Sequence, residues 1–498
     1  MDLIEKNYKF SRILRKCFFE EKNINTKLKL ARYYSTYCWE NRVGIFQDIE
    51  FENELIKISK DNNVNTKYLG NNFNGKTLHI VTEIYSSGGH TRVINNWIKF
   101  ENKNQDLLII NSEKNQIESW LLNTIKISNG NLIFLESKDT LDKAKELLNI
   151  AKNYKRIILH VHPNDIVPIL AFGNSDIIKR IYFYNHADHT FWLGLTINKC
   201  VLDLSCGGKE LSIYKRGIIN SEVLSIPLEQ NQKENKVIDI EIDKIYKLYN
   251  IKKNNKVIFS MAIGYKYDTI LDYNFFEFLE KLIPFLIKNN IYFLIAGPSL
   301  KKRKWKKFYE ASNKKIIPLG ILSKEEVKDI WKIVDLYIDS FPINSYTCLL
   351  EAISNNIKCF SLKTPISDLD CLKEIKVNTI ESLIKEIEKF FIYENNYKEE
   401  NMRINNNLKK IHYKDGFLNN LKQIYSKNDN QKNINYRFIN ECFNDNYEKF
   451  FANQKNKILF LNKNSMYFNF LRILKKLDIQ IFIKLLCLYY KEGIKWKK

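Results

Sequence analysis

The sequence predicts an α/β protein of two doubly wound parallel-sheet lobes in succession, with a helical extension at each end. Three observations lead there. From Gly75 onward short apolar runs alternate with amphipathic stretches, the pattern of a parallel sheet covered on both faces. The alternation lapses over a basic, Asn-rich interval, Glu229 to Asn255, and then starts again, so two sheets are expected rather than one. Late in the second series, Ile333 to Ala352 reads as a strand (Asp335 to Asp339), a loop (Ser340 to Asn344) and a helix opening at Ser345. Strand-to-helix junctions of this kind are where doubly wound lobes bind ligands.

In chain order, residues 1–72 contain no strand-like run, and Phe18, Phe19, Tyr33, Tyr34, Tyr37 and Trp39 recur at roughly helical spacing. This interval is expected to be a helical cap on the domain behind it. The first lobe, 73–230, has strands expected at Thr77 to Thr82, Asp106 to Ile110, Asn131 to Leu135, Arg156 to Val161, Arg180 to Tyr184, Lys199 to Leu204 and Glu222 to Ile226. The second, 231–425, has them at Lys256 to Met261, Ile291 to Ala296, Lys315 to Leu319, Asp335 to Asp339 and Lys358 to Leu362. The two lobes are expected to face each other across a cleft that holds the active site. After about Lys376 the chain turns helical and polar, and 426–498 is expected to be a basic helical extension. Its segment Phe468 to Tyr490 has two readings, a helix docked on the fold or an interfacial helix on anionic lipid.

Composition narrows the function classes. With 498 residues, 45% hydrophobic and 13% aromatic, the chain is globular and long enough for two cores. An excess of 79 Lys+Arg over 57 Asp+Glu gives +22, which suits nucleic acid, anionic lipid or an anionic substrate and by itself singles out none; compositional bias explains it equally well. No recognition helix or aromatic RNA-binding motif accompanies the charge, so nucleic acid is not an expected partner. Nine scattered cysteines without zinc-ligand spacing suit reduced thiols. Met1 to Lys6 lacks a signal-peptide layout and no apolar run is long enough for a bilayer, so a cytoplasmic location, including the inner face of the cell membrane, is expected.

Around the second-lobe junction, Asp339, Asn344, Ser345 and Thr347 crowd polar side chains against the free N–H groups of a helix start, which together with the helix dipole favour phosphate. Glu351 follows within the same helix. A carboxylate repels phosphate, so a hydroxyl pair such as a ribose is its natural partner, and the combination describes a nucleotide-diphosphate site. Asp339-Ser-Phe-Pro, Asn344-Ser-Tyr-Thr-Cys and Leu350-Glu-Ala resemble the nucleotide-sugar signature of GT-B glycosyltransferases, most of all the branch of O-GlcNAc transferase and the bacterial protein N-glucosyltransferases. The resemblance implies that Asn344, Ser345, Tyr346, Thr347 and Cys348 form the diphosphate loop and that Glu351 holds the ribose. Tyr346 stands where O-GlcNAc transferase has a histidine, and Cys348 where a second threonine is usual. The retaining family with paired glutamates is the second resemblance, and it requires an acid where this chain has Ile343.

Further motifs complete the expected site. Lys266, just past the first strand of the second lobe, is placed to approach Ser345 and neutralise a departing diphosphate; a plain surface lysine is the alternative. Its Tyr265-Lys266 pair is similar to one in the O-GlcNAc transferase branch. Ala296-Gly297-Pro298 is expected to border the nucleotide base. In the first lobe, Gly88 and Gly89 open a helix after the first strand, where GT-B enzymes similarly carry a glycine pair on the acceptor side; a tight turn without ligand is the alternative. In Tyr184-Asn-His-Ala-Asp-His-Thr-Phe-Trp192, His186 or His189, oriented by Asp188, could take a proton from an acceptor, with metal binding as the competing use. Phe191 and Trp192 offer flat faces to a sugar or to the core. Strand alternation places His160 and His162 on one face, as cleft-lining or structural groups.

The expected protein is a metal-independent, inverting glycosyltransferase, hexosyl or N-acetylhexosaminyl, with His186, Asp188 and Lys266 as catalytic residues. Its donor is a nucleotide-diphosphate sugar, a UDP-sugar foremost, its acceptor a protein or glycan, and it needs no cofactor. The alternatives are retaining transfer in surface-polysaccharide synthesis and a non-catalytic sugar- or nucleotide-binding subunit. Peripheral membrane contact through the basic C-terminal helix is a further expected partnership.

Overall fold

The computed structural model describes residues 3–64, 73–85, 89–111, 117–229, 239–365, 370–392 and 397–429, together with Tyr436 and Phe450. Among these, residues up to Pro227 and from Phe417 on form one compact unit, and Leu228–Gly416 form the other.

The first unit begins with helices α1 (Leu3–Glu20), α2 (Ile24–Glu40) and α3 (Ile49–Asp61). A parallel sheet follows, built from β1 (Thr77–Val81), β2 (Gln105–Ile109), β3 (Leu132–Phe134), β4 (Arg156–His160), β5 (Ile181–Asn185), β6 (Cys200–Asp203) and β7 (Ser221–Val223) in the order β3-β2-β1-β4-β5-β6-β7. Its crossovers are α4 (Gly89–Glu101), α5 (Ser119–Ile127), α6 (Thr140–Ala151), α7 (Val167–Phe172) and α8 (Cys206–Arg216). Strands β1 and β2 are buried at every residue, as a sheet covered on both faces requires.

The opening helices are not a detached cap. Leu14, Phe18, Tyr34 and Phe51 share one core with Leu78, Leu159 and Phe183. Glu52, fully buried, reaches from α3 to accept the N–H groups of Gly194 (2.8 Å), Leu195 (3.2 Å) and Thr196 (2.9 Å) and the Thr196 hydroxyl (2.6 Å). Burial pushes its pKa up and these bonds pull it down. A buried carboxylate so fully satisfied pins the extension to the loop after β5.

The second unit runs α9 (Asp239–Leu248), β8 (Val257–Met261), α10 (Phe275–Lys288), β9 (Tyr292–Ala296), α11 (Arg303–Ala311), β10 (Ile316–Gly320), α12 (Lys324–Ile330), β11 (Leu336–Ile338), α13 (Tyr346–Ser354), β12 (Lys358–Leu362), β13 (Lys376–Val377), α14 (Ile380–Ile392) and α15 (Lys398–His412). Its parallel sheet is ordered β10-β9-β8-β11-β12-β13. All the expected strands are present. The edge strand β13 was not expected, because two residues beginning with a lysine give no apolar run to read.

Helix α16 (Lys414–Asp429) returns the chain to the first unit. Phe417 packs edge-on against Trp97 (5.3 Å), Tyr425 against Tyr182 (5.0 Å), and Asn420 donates to the Val223 carbonyl (3.0 Å). Residues 417–425, expected with the second lobe, therefore pack in the first unit. The segment Phe468 to Tyr490 lies outside the described residues.

Abundant asparagine has a structural use. Asn63, Asn102, Asn129, Asn250, Asn290, Asn313 and Asn356 all take positive φ just past helix ends, where Gly is the usual residue.

Candidate active site

In each sheet the chain reverses its direction of build-up once, between β1 and β4 in the first unit and between β8 and β11 in the second. Crossovers leave to opposite sides at such a point, opening a crevice at the C-terminal ends of the strands. Lys266 and residues 339–351 follow the strands of the second reversal; Gly89 follows a strand of the first, and His186 comes beside its neighbour His90 from the loop after β5.

At the second reversal, the loop after β11 is folded around its own polar groups. Asp339, fully buried, accepts the N–H groups of Ser340 (2.9 Å) and Ser345 (3.0 Å) at Oδ1. Asn344 donates to the Ser340 carbonyl (3.0 Å) and to Ser361 (3.1 Å), the Ser340 hydroxyl donates to the Ile343 carbonyl (2.8 Å), and Phe341 anchors the loop against Phe275 (5.0 Å). Lys266, on the 3-10 turn Gly264–Tyr267 after β8, donates through Nζ to the Asn344 carbonyl (2.8 Å), and its own carbonyl accepts from Ile343 N–H (3.4 Å). Two loops from adjacent strands are thus joined at the residues predicted from the sequence.

The electrostatics follow from burial. Burial lowers the Lys266 pKa, while Cys348 and Asp339 act to raise it. Burial pushes Asp339 up to about 6 against the pull of the Ser345 N–H and Lys266, and its Oδ2 has no hydrogen-bond partner. Ser345 is the N-cap of α13, yet its hydroxyl caps no helix N–H and instead meets the Cys348 thiol, which burial pushes up to about 11. Tyr346, Thr347 and Cys348 form the partly exposed first turn. Their position gives an anion access to the positive end of the helix.

Glu351 lies further along α13, and its Oε1 accepts the indole N–H of Trp331 (3.2 Å). Trp331, buried beside Phe259 and Tyr337, therefore helps to set the direction of that carboxylate. Nothing in the sequence pointed to Trp331, since a helix end and a strand separate it from Glu351. Gly297 is explained by packing: at φ +106° it lets β9 pass β8, where a Cβ would stand 1.8 Å from the Ala262 carbonyl oxygen.

At the first reversal, histidines gather. His90, in the first turn of α4 beside Gly89, donates from Nε2 to the His160 carbonyl (3.0 Å), and its ring lies 4.3 Å from that of His186. Burial depresses the pKa of both, His186 to about 4 and His90 well below its ordinary value, so neutral imidazoles meet here. Asp188 pairs with His189 Nδ1 (3.1 Å) rather than with His186, and its pKa is lowered by that pairing and by Arg216 against the opposing effect of burial. Gly88 lies outside the described residues.

Alternation does not hold at His160 and His162. His160 is fully buried and bonded through Nε2 to His79 Nδ1 (3.0 Å), whose Nε2 faces Gln105 Oε1 (2.9 Å). The strand ends at His160, and the next residues turn so that His162 N–H reaches Thr82 Oγ1 (2.9 Å) and its ring stacks on exposed Tyr85. Phe191 and Trp192 are core residues, Trp192 stacked 4.4 Å from Phe183. Among the described residues no group of three or more His, Cys, Asp or Glu side chains is arranged to hold a metal ion.

The sequence matches no protein-family model and no curated protein. The structure is similar to solved glycosyltransferases. One from Rickettsia africae superimposes with a TM-score of 0.53 at 14% identity, over 72% of this chain and 100% of that one. HepE from Anabaena, solved in complex with UDP and glucose, gives 0.53 at 11% identity over 71% and 100%. TarM gives 0.53 at 9% identity over 72% and 100%. Identity this low speaks for architecture alone, and with the two reversed sheets above it leads to one conclusion: the chain has the two-lobed GT-B fold.

Proposed function

We propose that the chain is a glycosyltransferase that moves a sugar from a nucleotide-diphosphate donor, a UDP-sugar, to a protein or glycan acceptor, with inversion and without a metal. The observation that carries this reading is the Lys266 ammonium joined to the Asn344 carbonyl at the start of α13, on a GT-B fold. HepE holds UDP in its solved complex, which supports the choice of donor. Lys266 and the first turn of α13 hold the diphosphate, and Glu351, oriented by Trp331, holds the ribose. As the acceptor attacks the anomeric carbon, the bond to the diphosphate breaks and its electron pair leaves with the phosphate oxygen. The lysine and the helix N–H groups stabilise the charge that develops there.

His186, neutral because burial holds its pKa near 4, takes the proton released by the acceptor. Asp188, paired with His189, acts by positioning the loop that carries His186. Ile343 stands where the two-glutamate retaining enzymes need an acid, which favours direct displacement. The branch containing O-GlcNAc transferase is the one these residues resemble most.

Calorimetric titration with UDP, GDP and ADP and their sugars tests the reading. UDP and at least one UDP-sugar are expected to bind, and NMR of the transfer product is expected to show an inverted anomeric centre. A folded protein that binds none of these nucleotides would refute it.

A further inference from the structure

We propose that the first reversal carries a platform for a neutral, hydroxyl-rich saccharide, with Tyr85 as its face and His162 and Trp39 layered behind it. The inference rests on the transferase reading and narrows its acceptor to a glycan. Tyr85 follows β1 and His162 follows β4, the two strands that flank the reversal. Their rings are parallel to within 8° with centroids 5.9 Å apart, and the Trp39 ring, brought by α2, lies 6.0 Å from His162 at 29°.

Tyr85 is 45% exposed, yet it is held at several points. Its N–H donates to Thr91 Oγ1 (3.1 Å), its hydroxyl donates to Glu83 Oε2 (3.0 Å) and lies 3.3 Å from His162 Nε2, and its ring is stacked on one side. An exposed ring tethered in this way has little rotamer entropy left to lose when a ligand covers it. A pyranose offers such a ring an apolar C–H face and surrounds it with hydroxyls, which need acceptors and donors at the rim.

The rim is suited to hydroxyls. Glu83 commits Oε2 to Tyr85, and a carboxylate has about four acceptor positions. Asp165 ties the two loops together, accepting from Thr82 Oγ1 (2.6 Å) and Val167 N–H (3.0 Å). Burial holds His162 below its ordinary pKa, so the ring behind Tyr85 adds no positive charge at neutral pH. Asp165 is balanced by nearby Lys143, and Glu83 at the rim disfavours phosphorylated or carboxylated acceptors. The platform also gives the N-terminal helices a place in the site, since Trp39 comes from α2.

Ligand-observed saturation-transfer NMR on the full chain tests this with three panels: chitotriose, cellotriose, maltotriose and mannotriose; sialylated oligosaccharides; and unstructured peptides rich in Ser, Thr and Asn. At least one neutral trisaccharide is expected to bind. Tyr85→Ala is expected to weaken that binding about tenfold, and Tyr85→Phe, which keeps the ring, by no more than about threefold. Binding of the peptides or sialylated sugars in place of the neutral ones overturns the proposal, as does a folded Tyr85→Ala protein that binds like the parent. UDP added to the same samples separates the two readings. Saccharide binding without UDP binding removes the transferase reading and leaves the platform; UDP binding without saccharide binding removes the platform.

Discussion

The two sheet reversals are the same topological device furnished with opposite chemistry. In the second unit, the strand after the reversal is followed by Asp339, whose carboxylate and the Asn344 amide absorb the loop's backbone groups and leave a lysine beside a helix start. In the first unit, β1 and β4 end among imidazoles and aromatic rings, and burial keeps the imidazoles neutral. On the proposed reading, one reversal meets a departing negative charge and the other meets a neutral group that gives up a proton. Topology chooses where a ligand sits, and the few residues past each strand end choose which ligand it is.

The largest expected effect comes from the neutral side. His186→Ala is predicted to lower transfer by about 10²–10⁴-fold while UDP affinity is unchanged, since His186 belongs to the first unit. With its pKa held at about 4, the acid limb of the parental rate should fall near pH 4 rather than near the ordinary histidine value, and it should vanish in the variant. The same depression in His79, also to about 4, links acid to stability. Folded pKa values below the unfolded ones mean that this stability is complete above about pH 6.5 and is lost as the pH falls through about 4. Parental transfer rates in the variant would dissolve the contrast between the two reversals.

On the charged side, Lys266→Met is predicted to reduce turnover by about 10²–10³-fold and UDP affinity by clearly less, because the ammonium matters most when charge develops on the leaving group. Steady-state kinetics alongside calorimetry decides the matter. Equal losses in turnover and binding would reduce Lys266 to a holding role.

Asp339 sharpens the comparison from inside the fold. Its pKa is raised to about 6 from an ordinary 3.8, so its contribution to stability is present below about pH 3.8 and is lost as the pH rises through 6. Two units correspond to about 3 kcal/mol at most. Asp339→Asn keeps an oxygen for the Ser340 and Ser345 N–H groups without the charge. It should match the parent in urea denaturation at pH 4 and exceed it at pH 8. A variant weaker than the parent at pH 8 would mean that the attraction to Lys266 outweighs burial.

These residues also show what the sequence could disclose. Strands such as β1, β2 and β12 were legible because burial on both faces demands a short run with several apolar residues, and Lys266 and Ser345 could be paired because strand order brings their loops together. The contacts of the first reversal were not legible. Asp188 lies two residues from His186, but the turn hands its carboxylate to His189, and His160 and His162 part company because β4 stops between them. Tyr85 and Trp39 meet His162 from distant parts of the chain, and no local pattern records such a stack. Asparagine takes a positive φ just past seven of the described helices, a use that composition alone does not disclose.

The smallest expected effect tests whether the second reversal is as selective as its chemistry suggests. Trp331 donates its indole N–H to Glu351 Oε1 and packs its ring edge-on against Phe259 (5.0 Å) and beside Tyr337 (5.7 Å). Trp331→Phe keeps an aromatic ring in that packing and removes the donor. If Glu351 serves the ribose, loss of the group that aims it should weaken uridine and UDP by about 0.5–1.5 kcal/mol, the usual net worth of one hydrogen bond. Inorganic pyrophosphate, which has no ribose, should bind the variant and the parent alike. Glu351→Ala should weaken the same two ligands by about 1–3 kcal/mol. Adding Trp331→Phe to it should then cost nothing more, because the indole acts through a carboxylate that is gone. Calorimetry with uridine, UDP and pyrophosphate on the two single variants and the double variant closes the cycle. An equal loss for pyrophosphate would make Trp331 a packing residue.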